Sequence, residues 1–120
     1  MDNKSKCFKD LFVWQKMHQI VLEIYKITKD FPKTEIFGIT NQIRRSSVSV
    51  AANIVEGYSK KSKIDKNRFF NIAQGSLEET HYFLILIQDL NYANTNDLII
   101  KIDEVGKMLK GYINAINNSR

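Results

Sequence analysis

The stretch QIRRSSVSVAANIVEG, residues 42–57, decides the fold because it can be read in two ways. Val48, Val50 and Ala52 alternate with small polar residues, the period of a half-buried strand. Ile36, Ile39, Ile43, Val50 and Ile54 fall instead at steps of three, four, seven and four, the period of one helix face. A strand over 46–52 would need a partner for its backbone N–H and C=O groups, and no second alternating segment bounded by turn signals lies nearby. The helical reading needs no such partner. It predicts a helix that starts after Thr34 as N-cap and reaches about Glu56, with Gly57 taking the left-handed conformation that closes many helices.

The small residues of this stretch then acquire a purpose. Ser46, Ser47, Ser49, Ala51 and Ala52 make the middle of the helix thin, and Gly75 and Ser76 do the same for the segment that follows. A mid-helix glycine costs about 1 kcal/mol relative to alanine, which is easiest to understand where another helix needs the space. The two helices are therefore expected to meet along these patches. Packing outweighs catalysis for the serines, since neither His18 nor His81 stands in a motif that would supply a general base.

The same three-four rhythm recurs on both sides. Val13, Met17, Ile20, Ile24, Ile27 and Phe31 predict a helix over 11–30, capped by Asp10 and stopped by Pro32. Phe69, Ala73, Ser76, Thr80, Phe83, Ile87 and Leu90 predict one over 62–90, opened by the capping box SKID at 62–65. Leu98, Ile102, Val105, Leu109, Tyr112 and Ile116 predict a fourth, capped by Asn94 or Thr95. Its Asp97–Lys101 and Asp103–Lys107 spacings suit i,i+4 ion pairs. Short connections make sequential helices antiparallel neighbours. The expected fold is all-α, an up-down-up-down four-helix bundle forming a single domain over 8–117, with flexible ends at 1–7 and 118–120.

The bulk composition agrees. Of 120 residues, 43% are hydrophobic, enough for one core, and a single proline with five glycines leaves few breaks. Lone Cys7 cannot form an internal disulfide, so a reducing, cytoplasmic setting is expected. The first fifteen residues carry no long apolar run, so no secretory leader is expected, and no apolar run approaches the ~20 residues of a membrane span.

YFLILI, residues 82–87, is apolar all round a helix, whereas a helix in a lone four-helix bundle buries one stripe. Tyr82, Ile85 and Leu86 are accordingly expected at a homo-oligomer interface. A monomer with a wide apolar face is the alternative.

The charge is concentrated. Lys60, Lys61, Lys63, Lys66 and Arg68 with one carboxylate, Asp65, hold a net +4 of the chain's +5. They are read as a contact for nucleic-acid phosphates, or else as a solvated connection. Arg44 and Arg45 add two further candidate phosphate contacts. A packed or interfacial salt bridge fits them better, because the run of small residues that follows should be buried. Tyr58, Phe69 and Phe70 interleave with the basic residues, and the phenylalanines fit the core stripe better than base stacking.

Glu78-x-x-His81 has a spacing that places two metal ligands on one helix face, but bundles that hold two metals use a second such pair, and Gln15 stands where His18 would need a glutamate. No metal site, cofactor or catalytic residue is assigned, and a non-enzymatic protein is expected.

Three segments, DLFVWQK at 10–16, FGITNQIRRSSVSVAANIVEG at 37–57 and FFNIAQGSLEET at 69–80, together carry a family resemblance. In order and spacing they resemble the small four-helix-bundle proteins encoded by intervening sequences within bacterial 23S ribosomal RNA genes. The resemblance implies an antiparallel bundle. Through relatives similar to the accessory protein of diversity-generating retroelements, it also implies a homopentameric barrel with a basic surface that binds nucleic acid and a reverse transcriptase. It transfers no catalytic or ligand residue. Asn53 and Glu56 are expected to hydrogen-bond across a helix interface. The function expected is RNA or structured-DNA binding by an oligomer, with a protein-interaction scaffold or accessory subunit of a nucleic-acid enzyme as the alternative.

Overall fold

Four α-helices carry the chain in a computed structural model that describes residues 6–119: α1 Phe12–Thr28, α2 Asn41–Ser59, α3 Lys63–Asp89 and α4 Asn96–Asn117. The described residues contain no strand, so the helical reading of 46–52 holds. Of the ends expected to be flexible, 1–5 and 120 lie outside the described residues.

One core joins the helices. Met17, Ile20 and Ile24 from α1 meet Ile43, Val50 and Ile54 from α2, Ala73, Leu77, Leu84 and Ile87 from α3, and Ile102, Val105 and Leu109 from α4. The stripes of α1 and α4 follow the expected rhythm, although Ile27 of α1 and Tyr112 and Ile116 of α4 are only half-buried. The stripe of α3 is shifted. Phe70, Leu77 and Leu84 are buried where the sequence reading placed Phe69, Ser76 and Phe83, which are half-buried.

The shift follows from how α2 and α3 touch. Ser49 Oγ and Ser76 Oγ are 2.8 Å apart, and Thr80 Oγ1 and Ser46 Oγ 2.9 Å. Each hydroxyl has one proton, so Thr80 donates to Ser46 and Ser46 donates on to the Ile43 carbonyl, or the chain runs in reverse with Thr80 donating to Ser76 O. These contacts satisfy hydroxyls that burial would otherwise penalise. Ser46 and Ser49 of the small patch on α2 thus do meet α3, whereas Ser47 bonds back to the Arg44 carbonyl and Ala52 is exposed. Gly75 does not take part: it is exposed, and a Cβ there would meet nothing within 4 Å.

Helix ends depart from the sequence reading in instructive ways. Asp10 does not cap α1; its carboxylate accepts from the amides of Lys6 and Cys7 around a 3-10 turn, Phe8–Asp10. Thr34 does not cap α2. A 3-10 turn at Lys33–Glu35 runs into a wide turn at Ile36–Thr40 that is broken at Gly38 (φ −105°, ψ −123°). Glu35 is the capping residue, accepting from Ile39 N and, at 2.7 Å, from the hydroxyl of Tyr92. That hydrogen bond, with burial and the Glu35 charge, raises the Tyr92 pKa. The break leaves Ile36 half-exposed and Phe37 91% exposed.

Gly57 does not end α2 in a left-handed conformation. The helix continues to Ser59 and no glycine has positive φ. Gly57 instead makes room: a Cβ there would lie 2.6 Å from Cδ1 of Phe70, whose ring is fully buried and packs edge-on against Tyr112 of α4. The left-handed residue is Asn91 (φ 62°), after α3. There Tyr92 N donates to Ile87 O and Asn91 N to Gln88 O, the paired bonds that close a helix terminus. For α4, Asn94 Oδ1 accepts from Asn96 N, while buried Thr95 donates to the Leu84 carbonyl.

Neither expected ion pair within α4 forms among the described residues. Lys101 reaches Glu23 of α1 at 2.7 Å, and Lys16 of α1 reaches Glu104 at 3.1 Å. The Glu23 hydrogen bond and charge raise the Lys101 pKa. Both bridges are partly solvated, so each contributes little to stability.

Candidate nucleic-acid interface

The five basic residues of 60–68 gather where α2 turns into α3, and they do not share one role. Two of them serve helix ends. Lys66 Nζ donates to the carbonyls of Gly57 (3.2 Å), which also accepts from Lys60 N, and Tyr58 (2.9 Å), both in the last turn of α2. Burial lowers the Lys66 pKa, yet its ammonium meets the negative end of the helix dipole. Lys63 Nζ donates to the Ser119 carbonyl, just past α4. Replacing Lys66 with methionine is therefore expected to cost about 1 kcal/mol of stability, read as a lower urea midpoint.

The other three face outward. Lys60 and Arg68 lie 5.2 Å from the centre of the Phe69 ring, which is half-buried between them. Their ion pairs are loose: Lys60 to Glu56 at 3.7 Å and Arg68 to Asp65 at 3.8 Å, with both carboxylates about half exposed. Pairs of that kind contribute little and are screened by salt, so a phosphate can displace the carboxylates. Lys61 has no hydrogen bond or ion pair among the described residues. Ser62 opens α3, accepting from Asp65 N, although the return bond from Ser62 N to the Asp65 carboxylate does not form among the described residues, so half of the expected capping box is present and Lys61 sits on a defined turn. The arrangement offers three cations and one aromatic edge to a polyanion. Phe69, read from the sequence as core, belongs to this surface, and Phe70 takes its place in the core.

Arg44 and Arg45 lie sixteen residues before Lys60 and Lys61 on α2, about 24 Å along the axis, and form a separate region. Neither makes an ion pair among the described residues, so the salt bridge expected of them does not form within this chain. Arg44 Nε donates to Thr28 Oγ1 at 2.9 Å and Nη2 to the Tyr25 carbonyl, with the guanidinium 4.6 Å from the centre of the Tyr25 ring. Arg45 is exposed and lines a groove with Gln42, Ser49, Ser76 and Glu79. Asn53 and Glu56 do not bridge helices either. Asn53 donates back to Ser49 on its own helix and Glu56 pairs with Lys60.

Of the expected interface residues, Tyr82 is 57% and Ile85 41% exposed, and Leu86 is half-buried against the core. Among the described residues, no three His, Cys, Asp or Glu side chains are placed to hold a metal ion, and no helix is long and apolar enough to cross a membrane.

Comparison with known proteins finds a family model and several solved structures similar to this chain. A family model described as 23S rRNA-intervening sequence protein matches residues 9–111. A crystal structure of a protein with unknown function, from the S23 ribosomal protein family of Bacteroides thetaiotaomicron, is similar over 84% of this chain and 97% of its own, at 28% identity and a TM-score of 0.75. No curated protein matches the chain.

Proposed function

From the premise that this chain belongs to the 23S rRNA-intervening sequence protein family, we propose that it acts by association and not by catalysis. It is a homo-oligomeric helical bundle that binds nucleic acid, RNA or structured DNA, through the turn between α2 and α3. The observation that carries the reading is the group Lys60, Lys61 and Arg68 around Phe69, held by nothing stronger than two loose, half-exposed carboxylates. Phosphate contacts of this kind release counterions, so binding should weaken as salt rises. Titrating a labelled RNA hairpin at several salt concentrations tests it. Affinity indifferent to salt would refute it.

The helices are proposed to run up-down-up-down. The pairings of Ser49 with Ser76, Ser46 with Thr80 and Gly57 with Phe70 support opposite directions for α2 and α3. A cytoplasmic setting belongs to the same proposal and rests on the single, unpaired Cys7.

Self-association is supported by the outer face of α3. Ile72, Gly75, Glu79 and Tyr82 recur at steps of three and four, and Ile72 and Tyr82 are 45% and 57% exposed. Gly75 leaves open space on that face, room for a neighbouring helix. A pentamer is the stoichiometry the family resemblance implies. Gly75→Arg is expected to leave the helical signal in circular dichroism intact and to lower the mass measured by light scattering. An unchanged mass would place the contact elsewhere.

The alternative, a scaffold or accessory subunit for a nucleic-acid enzyme such as a reverse transcriptase, is favoured by one observation. Ile64, inside the basic turn, is 83% exposed, and an apolar side chain there suits a protein partner better than a phosphate.

A further inference from the structure

We infer that the groove between α1 and α2 at Leu22, Tyr25, Lys26, Lys29 and Arg44 is a second anion site, one that takes a nucleotide unit: a phosphate with its planar base attached. The site deepens the nucleic-acid reading in ligand class only. It lies about 24 Å along α2 from Lys60 and Lys61 and shares no residue with the basic turn.

The groove has a volume of about 450 Å³, within the range of small-ligand sites. Its lining holds three cations and no carboxylate. Lys26 and Lys29 make no ion pair among the described residues. Glu23 is held by Lys101 of α4, and Asp30, exposed just past α1, forms no ion pair with either lysine among the described residues. Like charges this close on one helix repel, and an anion between them and Arg44 relieves that repulsion.

Arg44 is positioned before any ligand arrives. Thr28 gives its own proton to the Ile24 carbonyl at 2.7 Å, which leaves its hydroxyl oxygen to accept from Arg44 Nε. With Nη2 on the Tyr25 carbonyl and the guanidinium stacked on the Tyr25 ring, two of its five N–H groups are used and three remain for a ligand. A fixed guanidinium loses little freedom on binding and presents a fork that matches two phosphate oxygens. The remaining lining is apolar. Leu22 is 50% and Tyr25 41% exposed, a surface for a base and not for a bare phosphate. A structural strap from α2 to α1 would need Arg44 alone, and the negative end of the α1 dipole favours Lys26 and Lys29; neither gives a reason for the two exposed apolar side chains beside them.

The Arg44 Nε–H, held by Thr28, gives a private reporter in nitrogen-15 NMR of the full chain. Adenosine 5′-monophosphate is expected to shift that resonance and the amides of residues 22–29 saturably, with adenosine and inorganic phosphate each at least tenfold weaker. A ten-residue oligoadenylate binding at least tenfold tighter than the mononucleotide identifies an RNA strand as the source of the unit, and equal affinity identifies a free nucleotide. Lys26→Glu with Lys29→Glu should weaken the mononucleotide at least tenfold, and Lys61→Glu should leave it unchanged. No saturable shift at these residues with any probe, phosphate as tight as the mononucleotide, or indifference to the lysine reversals would overturn the inference. Loss of RNA binding through the basic turn, with these shifts intact, would count against the proposed function alone.

Discussion

Phe70→Ala is expected to destabilise the protein by about 3–5 kcal/mol, the largest stability effect we anticipate for one side chain. The ring is fully buried, reaches Tyr112 of α4, and fills the space that Gly57 leaves on α2. Its loss opens a cavity where three helices meet, and a domain of this size holds only about 5–15 kcal/mol in total. Gly57→Ala tests the same contact from the other side. Alanine gains about 1 kcal/mol of helix propensity, but a Cβ against a ring that cannot move costs about 1–3 kcal/mol. The clash should win, giving a net loss. In the Phe70→Ala background the clash disappears, and Gly57→Ala should then become stabilising. Urea unfolding of the four proteins reads the change of sign. Additive effects would mean that the two residues do not touch.

The second large effect concerns binding. Reversing Lys60, Lys61 and Arg68 to glutamate should lower RNA affinity by more than tenfold and flatten its salt dependence. Three phosphate contacts per protomer on a single strand give a log–log slope of about −2, or roughly a 20-fold loss between 50 and 200 mM salt. Removing them removes that slope, and the new carboxylates add repulsion. Lys66 and Lys63 are left in place because they hold the ends of α2 and α4. The melting temperature of the variant should therefore stay close to that of the parent. Fluorescence anisotropy with a labelled RNA is the readout. An unchanged slope would remove the basic turn from the interface.

Much of this was legible in the sequence, for reasons that differ by element. Ile39, Ile43, Val50 and Ile54 are buried as their spacing required, and the stripes of α1 and α4 follow theirs through the core, because each has one apolar face. In α3 the run at 82–87 is apolar on every side, so periodicity fixes the helix and not its rotation. The rotation comes from contacts across to α2: the hydroxyl pairs at Ser46 and Ser49, and the gap at Gly57 that admits Phe70 instead of Phe69. Helix ends were legible where a side chain caps its own helix, as at Ser62. They were not where a distant group intervenes, as when Tyr92 fixes Glu35 or Lys66 serves the end of α2.

The candidate sites divide along the same line. The run at 60–68 announces its charge by position, but which lysines are spent on carbonyls depends on which helix end lies beside them. The groove at Arg44 carried little signal, since its lysines are on α1 and its guanidinium on α2. One hint was available: Leu22, Tyr25, Lys26 and Lys29 fall at steps of three, one and three on a single face of α1.

Light scattering of the purified chain, with and without an equimolar RNA hairpin at low salt, tests the central claim most directly. We expect a mass several times the 14.0 kDa of one chain, about 70 kDa for a pentamer of five such chains, and a larger mass with RNA that returns to the RNA-free value at high salt. A species of one chain's mass, unchanged by RNA, would contradict both the association and the binding proposed for this protein.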